Sequence, residues 1–335
     1  MRMWPTHIPA NERRAAILAL VVSVALVIAK FVAYGLSGSA AIFSDALESI
    51  VNVAAAAFAI YSLSLAHTPA DSEHPYGHGK IEFFAGMFEG GMIVLAAIAA
   101  SVNAIIALVR GSLKPENLGV ATIILAGALF VNGAAGLYLL RTGRQTRSVT
   151  LEADGKHLLS DAISSVFALI ALLLVRITGR TWIDPAIAIV VAFYIAGIGI
   201  ALIRHAAAGL MDRQDMEDQA LLERILDSHV GPGGQEPHIC SYHKLRHRHS
   251  GRYHWVDFHI MVPADWEVRR GHEVASAIEY EIEQALVEGN ATAHIEPCKN
   301  HGCLTCQAFS VATQPHLAPR SAAGAPLPDP KIQQA

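Results

Sequence analysis

AAIFSDALESIVNVAAAAFAIYSLSLA, residues 40–66, is long and apolar enough to cross a bilayer, yet it carries Asp45, Glu48, Ser49 and Asn52. A charged carboxylate at the centre of a spanning helix costs about 2.5–3.5 kcal/mol on insertion scales. At ~100° per residue, the four polar groups fall within a sector of roughly 100° on one side of a helix. Phe43, Leu47, Ile50 and Val51 cover the other sides. Such a stripe faces other helices or a water-filled cavity rather than lipid. Interhelical hydrogen bonding would account for Ser and Asn, but carboxylates are a costly choice for that purpose alone. The segment reads as one helix of a membrane bundle that encloses a polar site.

Apolar runs of similar length lie near 14–36, 84–109, 118–140, 158–178 and 184–205, each about as long as a bilayer requires. Gly35–Gly38, Pro69, Pro75, Pro115, Gly143 and the Gly179–Asp184–Pro185 stretch separate them. Six spans are expected, the fifth starting near Val149 so that Glu152 and Asp154 lie at its entrance. With the N-terminus inside, ten basic residues (Arg2, Arg13, Arg14, Lys80, Arg141, Arg144, Arg147, Lys156, Arg204 and Arg213) flank the inner ends. Only four (Arg110, Lys114, Arg176 and Arg180) flank the outer ends. That bias puts both termini in the cytoplasm, of the inner membrane if the source is bacterial. The 53% hydrophobic and 16% charged composition of the 335 residues agrees with a membrane protein, and a net charge of -4 gives nucleic acid no support.

Composition turns globular after residue 212. An amphipathic helix is expected over 215–229, strands over 238–247 and 253–262 about a turn at Ser250–Gly251, a helix over 271–288 and a strand over 291–297. Helix–strand–strand–helix–strand suggests a small cytoplasmic α+β sandwich of ferredoxin-like type. The division expected is a cytoplasmic segment 1–13, a six-helix transmembrane domain 14–207, the ferredoxin-like domain 208–300 and a tail 301–335. From Gln307 the tail is rich in proline and expected to be disordered. The four cysteines all follow residue 239, which suggests reduced thiols rather than a disulfide framework.

Three groups of residues carry metal-ligand chemistry. In the fifth span His157 and Asp161 are four apart, stacked on one face, as are Glu48 and Asn52 in the second. Two such pairs on facing helices can close on one divalent ion. Asp71, His74 and His78 lie in the loop after the second span, where Pro75 and Gly77 set the turn. In CKNHGCLTC (298–306), Cys298, His301, Cys303 and Cys306 offer three thiolates and an imidazole at a spacing unlike a standard zinc finger. Ten of the 17 histidines fall in residues 229–301, a density that supports metal sensing. His243, His247, His249 and His254 flank the hairpin turn and read as solvated.

The sequence resembles the cation diffusion facilitators, membrane exporters of zinc and related divalent metals. The resemblance runs from about residue 14 to 298. It rests on GSAAIFSDALES, HPYGHGKIE, HLLSD, GLMDR, VDFHIMV, RGHEVASAIE and HIEPC, in that order. It implies a transport site at Glu48, Asn52, His157 and Asp161, with Asp45 as a further ligand or a proton relay. Both span-two positions depart from the family's usual His or Asp followed by Asp. It also implies a peripheral loop site at Asp71, His74 and His78, and a Lys80–Asp212 charge pair near the dimer interface. Metals between the subunits of a homodimer would be held by His259, His272, His294 and Glu296.

The function expected is proton-coupled efflux of divalent metal, Zn2+ first and Fe2+, Co2+, Ni2+, Mn2+ or Cd2+ as alternatives, with no organic cofactor. A non-transporting metal sensor or scaffold would leave the intramembrane carboxylates unexplained. No HExxH motif points to a metalloprotease and no P-loop to an ATP-driven pump, so no enzyme activity is expected.

Overall fold

The computed structural model describes residues 8–37, 40–110, 118–180, 182–286, 288–300 and 302–309. Residues 1–215 together with 247–255 form one compact unit, and residues 216–246 with 256–335 form the other.

The first unit is built from six long helices: α1 (Ala10–Ser37), α2 (Ala40–Ala66), α3 (Ile81–Arg110), α4 (Leu118–Thr146), α5 (Val149–Thr178) and α6 (Ile183–Leu210). Three of them hold described stretches long and apolar enough to cross a membrane: Ala10–Val32, Ile81–Ile106 and Pro185–Leu210. Helix α5 starts at Val149, where Glu152 in its first turn favours the positive end of the helix dipole. Helix α1 begins at Ala10, earlier than its apolar run, because the Arg13 N–H can already donate to the Pro9 carbonyl (3.1 Å).

Apolar side chains give little net drive to helix pairing in lipid, so close backbone approach matters more there. Helices α3 and α6 meet at Gly90 and Gly199, where a Cβ on Gly90 would stand 2.8 Å from the Gly199 carbonyl oxygen. Helices α4 and α5 meet likewise at Gly136 and Gly155. Outside these seams Val21, Leu95, Phe130 and Phe193 present apolar surface outward, as a lipid-facing surface requires. The polar residues turn inward. Lys30 of α1, buried within an apolar stretch, donates to Ser49 Oγ of α2 (2.7 Å). Glu82, fully buried at the start of α3, accepts from Ser148 Oγ (2.7 Å) and from the Thr150 N–H (3.3 Å).

The second unit holds α7 (Met216–Ser228), α8 (Val268–Ala285), α9 (Leu304–Phe309) and most of a three-stranded sheet in the order β1 (Ser241–Ser250), β2 (Tyr253–Val262), β3 (Gly289–Pro297). Cys240 N–H donates to Met261 O (2.7 Å) and Cys298 N–H to Val262 O (2.8 Å). The start of β1 and the end of β3 therefore both meet the end of β2, which makes the first pair antiparallel and the second parallel. Strand β2 alternates with period two: Val256, Phe258, Ile260 and Val262 are buried, while Asp257, His259 and Met261 face the other way. The buried row packs on Leu222 and Leu226 of α7 and on Val274, Ile278 and Ile282 of α8. Both helices thus cover one face of the sheet and leave the other open. In β1, Lys244 adopts φ 52°, a left-handed conformation that interrupts the alternation. Tyr242 and Leu245 consequently both reach the core. Residues 307–309, expected to be disordered, complete α9.

Candidate metal centre

Within the first unit, Asn52 of α2 joins His157 and Asp161 of α5. The Asn52 Nδ2 donates to Asp161 Oδ2 (2.6 Å), and its Oδ1 lies 2.9 Å from His157 Nε2. A carbonyl oxygen only accepts, so this contact requires the imidazole proton on Nε2. His157 Nε2 is 3.8 Å from Asp161 Oδ2. Asn52 and His157 are 7% and 4% exposed, well removed from bulk water. Two amide atoms of one side chain thus tie α2 to both His157 and Asp161.

A carboxylate absent from the expected ligand set completes this cluster. Glu89 of α3 is 2% exposed, and its Oε2 stands 3.5 Å from His157 Nδ1. Neither Glu89 oxygen accepts a hydrogen bond among the described residues. Asp154, one turn before His157 on α5, is also buried. In the sequence, Glu89 stands alone in GMFEGGM, with no polar residue three or four positions away to mark it. Asp45 and Glu48 belong to α2, but their side chains lie outside the described part of the structure. Their place at this centre remains an expectation.

The loop residues come together as well. One ligand atom each from Asp71, His74 and His78 lies within 4.8 Å of the others. Asp71 Oδ1 accepts from the His74 and Glu73 backbone N–H groups (2.6 and 2.9 Å), and the first of these chiefly holds its carboxyl below the usual range. Lys80 Nζ reaches Asp212 Oδ1 (2.8 Å), with Arg248 at 3.7 Å from the same carboxylate.

On the open face of the sheet, His259 Nδ1 and Glu296 Oε1 are 2.7 Å apart, and His243 Nε2 is 3.2 Å from Glu296 Oε2. The hydrogen bond from His259 is the main reason that the Glu296 carboxyl is held below its ordinary value. The His294 ring lies against that of His259 in a tilted arrangement, 4.6 Å between centroids. His272 is not part of this group. It sits on α8, which covers the opposite face, and is exposed beside Ser276. His243, read from the sequence as solvated, joins the cluster instead, and its signal lies in strand alternation up to Lys244. His247 and His254, read the same way, are buried, and His254 accepts from Arg147 Nη1 (2.8 Å).

The cysteines form a fourth group. Cys240, Cys298, Cys303 and Cys306 place their Sγ atoms within 4.8 Å of one another. Burial raises the Cys303 thiol, but hydrogen bonds from the Cys306 backbone and the neighbouring thiols outweigh it and bring it to about 7. Burial pushes Cys306 up to about 11 and Cys240 further still. Cys240 was not among the residues expected here, and His301, which was, lies outside the described residues.

Residues 16–211 match the cation efflux transmembrane domain, and residues 234–298 match the cation efflux protein cytoplasmic domain. The chain is 37% identical over 289 residues to the uncharacterized transporter sll1263 of Synechocystis sp., covering 86% of this chain and 91% of that one. It is 26% identical over 279 residues to the cation-efflux pump FieF of Shewanella oneidensis, with 81% and 89% covered. The manganese efflux system protein MneP of Bacillus subtilis shares 24% over 294 residues, with 85% and 96% covered.

Proposed function

We propose, from the premise that the chain belongs to the cation efflux family and is a membrane transporter rather than an enzyme, that it exports a divalent metal, Zn2+ first, in exchange for protons. The observation that carries this reading is the Asn52–His157–Asp161 chain, its first two members buried, with Glu89 against the imidazole. Metal approaching from the cytoplasm takes Asp161, Asn52 Oδ1 and His157 Nε2 as ligands, with Glu48 as the expected fourth. Zinc needs neutral imidazole with a free lone pair, so the Nε2 proton must leave as metal binds. Glu89, at the other ring nitrogen, is placed to offset the charge of the protonated ring and to share its proton. Protons from outside reverse the exchange and release the metal. Alternating access of one site to the two sides of the membrane then turns binding into transport.

All six long helices span the membrane in this reading, since each exceeds the ~20 residues required, and the termini lie in the cytoplasm. The working unit is a homodimer whose ferredoxin-like cytoplasmic domains bind metal on the open sheet face and bias the cycle. Metal choice among Zn2+, Fe2+, Co2+, Ni2+, Mn2+ and Cd2+ turns on the neutral Asn52, because affinity order alone does not select among them. The test is purified protein in vesicles with an inward acid gradient. Zinc flux is expected, and is abolished in His157→Ala/Asp161→Ala. Flux unchanged in that double variant overturns the site, whereas metal binding without flux in the unaltered protein overturns transport.

A further inference from the structure

All four cysteines of the chain converge at one end of the sheet. Cys240 immediately precedes β1, Cys298 immediately follows β3, and Cys303 and Cys306 lie just before and within α9. Cys240 Sγ and Cys306 Sγ are 3.4 Å apart. A tetrahedral zinc with ~2.3 Å bonds to sulfur holds its thiolates ~3.8 Å from one another. The cluster therefore already has the size of a zinc tetrathiolate. Four thiols have little else to offer one another, since S–H is a weak donor and sulfur a weak acceptor.

The backbone around them is shaped independently of the sulfurs. Cys240 and Cys298 are held to neighbouring carbonyls of β2, Met261 and Val262. Asn300 turns the chain between Cys298 and Cys303: its side-chain oxygen accepts from Gly302 N–H (3.0 Å) and its carbonyl from Cys303 N–H (3.1 Å). Helix α9 is tied down by Trp266 Nε1, which donates to Phe309 O (2.9 Å), and by the Phe309 ring against His238 (4.5 Å). Four residues separate Cys298 from Cys303 and two separate Cys303 from Cys306, both within the range of structural zinc sites.

We propose that Cys240, Cys298, Cys303 and Cys306 form a closed structural zinc site that staples residues 298–309 to the end of the sheet. Zn2+ displaces the four thiol protons to solvent and leaves a dianionic tetrathiolate centre. Protein fills every coordination position, so this ion is resident and is not cargo. The assignment holds or fails whether or not the chain transports metal.

The test uses the full-length protein in detergent micelles, reduced, stripped with EDTA and titrated with Co2+. Thiolate-to-cobalt charge-transfer absorption is expected to saturate at one ion per chain and to bleach on adding zinc. Nitrogen and oxygen sites elsewhere in the chain give no such band. Cys240→Ser and Cys306→Ser each lose most of the intensity, and His259→Ala keeps it. A second measurement needs no variant: zinc slows alkylation of all four thiols, followed residue by residue by mass spectrometry. No band in the reduced wild-type protein overturns the site. So does wild-type intensity in Cys240→Ser, or zinc protection that spares Cys240.

Discussion

The centre among α2, α3 and α5 and the histidine cluster on the open sheet face use the same donors, imidazole and carboxylate, in opposite surroundings. In the first, Glu89 and His157 are 2% and 4% exposed, and Asn52 is bonded to both α5 residues. In the second, the side chains of Glu296 and His294 are 29% and 66% exposed. Charge is costly in the first setting unless it is matched within the site. In the second, water screens each group. Burial thus separates a group whose charge must be balanced from within from one that solvent can balance.

That contrast can be broken at several points. Asp161→Ala removes the carboxylate proposed as a ligand, and zinc flux in vesicles is expected to fall about 100-fold or more, the scale reached by losing even outer-shell partners. A fall of only a few fold would make the buried centre no more demanding than the open one. Glu89→Gln keeps the shape but removes the ionisable group beside His157, and flux should fall about 10-fold with a changed dependence on external pH. An unchanged pH profile would remove Glu89 from the exchange. His259→Ala should weaken metal binding by the cytoplasmic domain, read by calorimetry, while saturating flux changes by no more than about 2-fold.

The smallest effect concerns Glu296. Its folded carboxyl is held below the ordinary ~4.3 of glutamate, so its contribution is present above that value and fades as pH falls through the lowered one. In thermal unfolding of the metal-free protein, the difference between wild type and Glu296→Gln should shrink as pH falls below about 5. A constant difference would show that the bond to His259 carries no charge effect.

Periodicity in one dimension accounts for what could be read in advance. The helices and strands follow from apolar runs and alternation. The meeting of Asn52 with His157 and Asp161 is legible because i,i+4 spacing puts each polar pair on one face. Glu89 escapes that logic, being a single acid among glycines whose partner is 68 residues away on α5. Lys30 is hidden for the same reason, a lone cation whose partner Ser49 lies on the next helix. In the sheet, the choice between His243 and His272 depends on which face α8 covers, a fact of packing rather than spacing. The place of Cys240 in the thiol group depends on the antiparallel return of β1 alongside β2, which no local motif announces.

The Asn52 side chain has a consequence for how α2 and α5 stay in register. Its amide reaches Asp161 and His157 at once, through one donor and one acceptor. A carboxylate has no donor to give, so an aspartate at residue 52 would lose the bond to Asp161 and set two acids face to face. The amide therefore works as a neutral clasp between the two helices, one that adds no charge to a sparsely hydrated place.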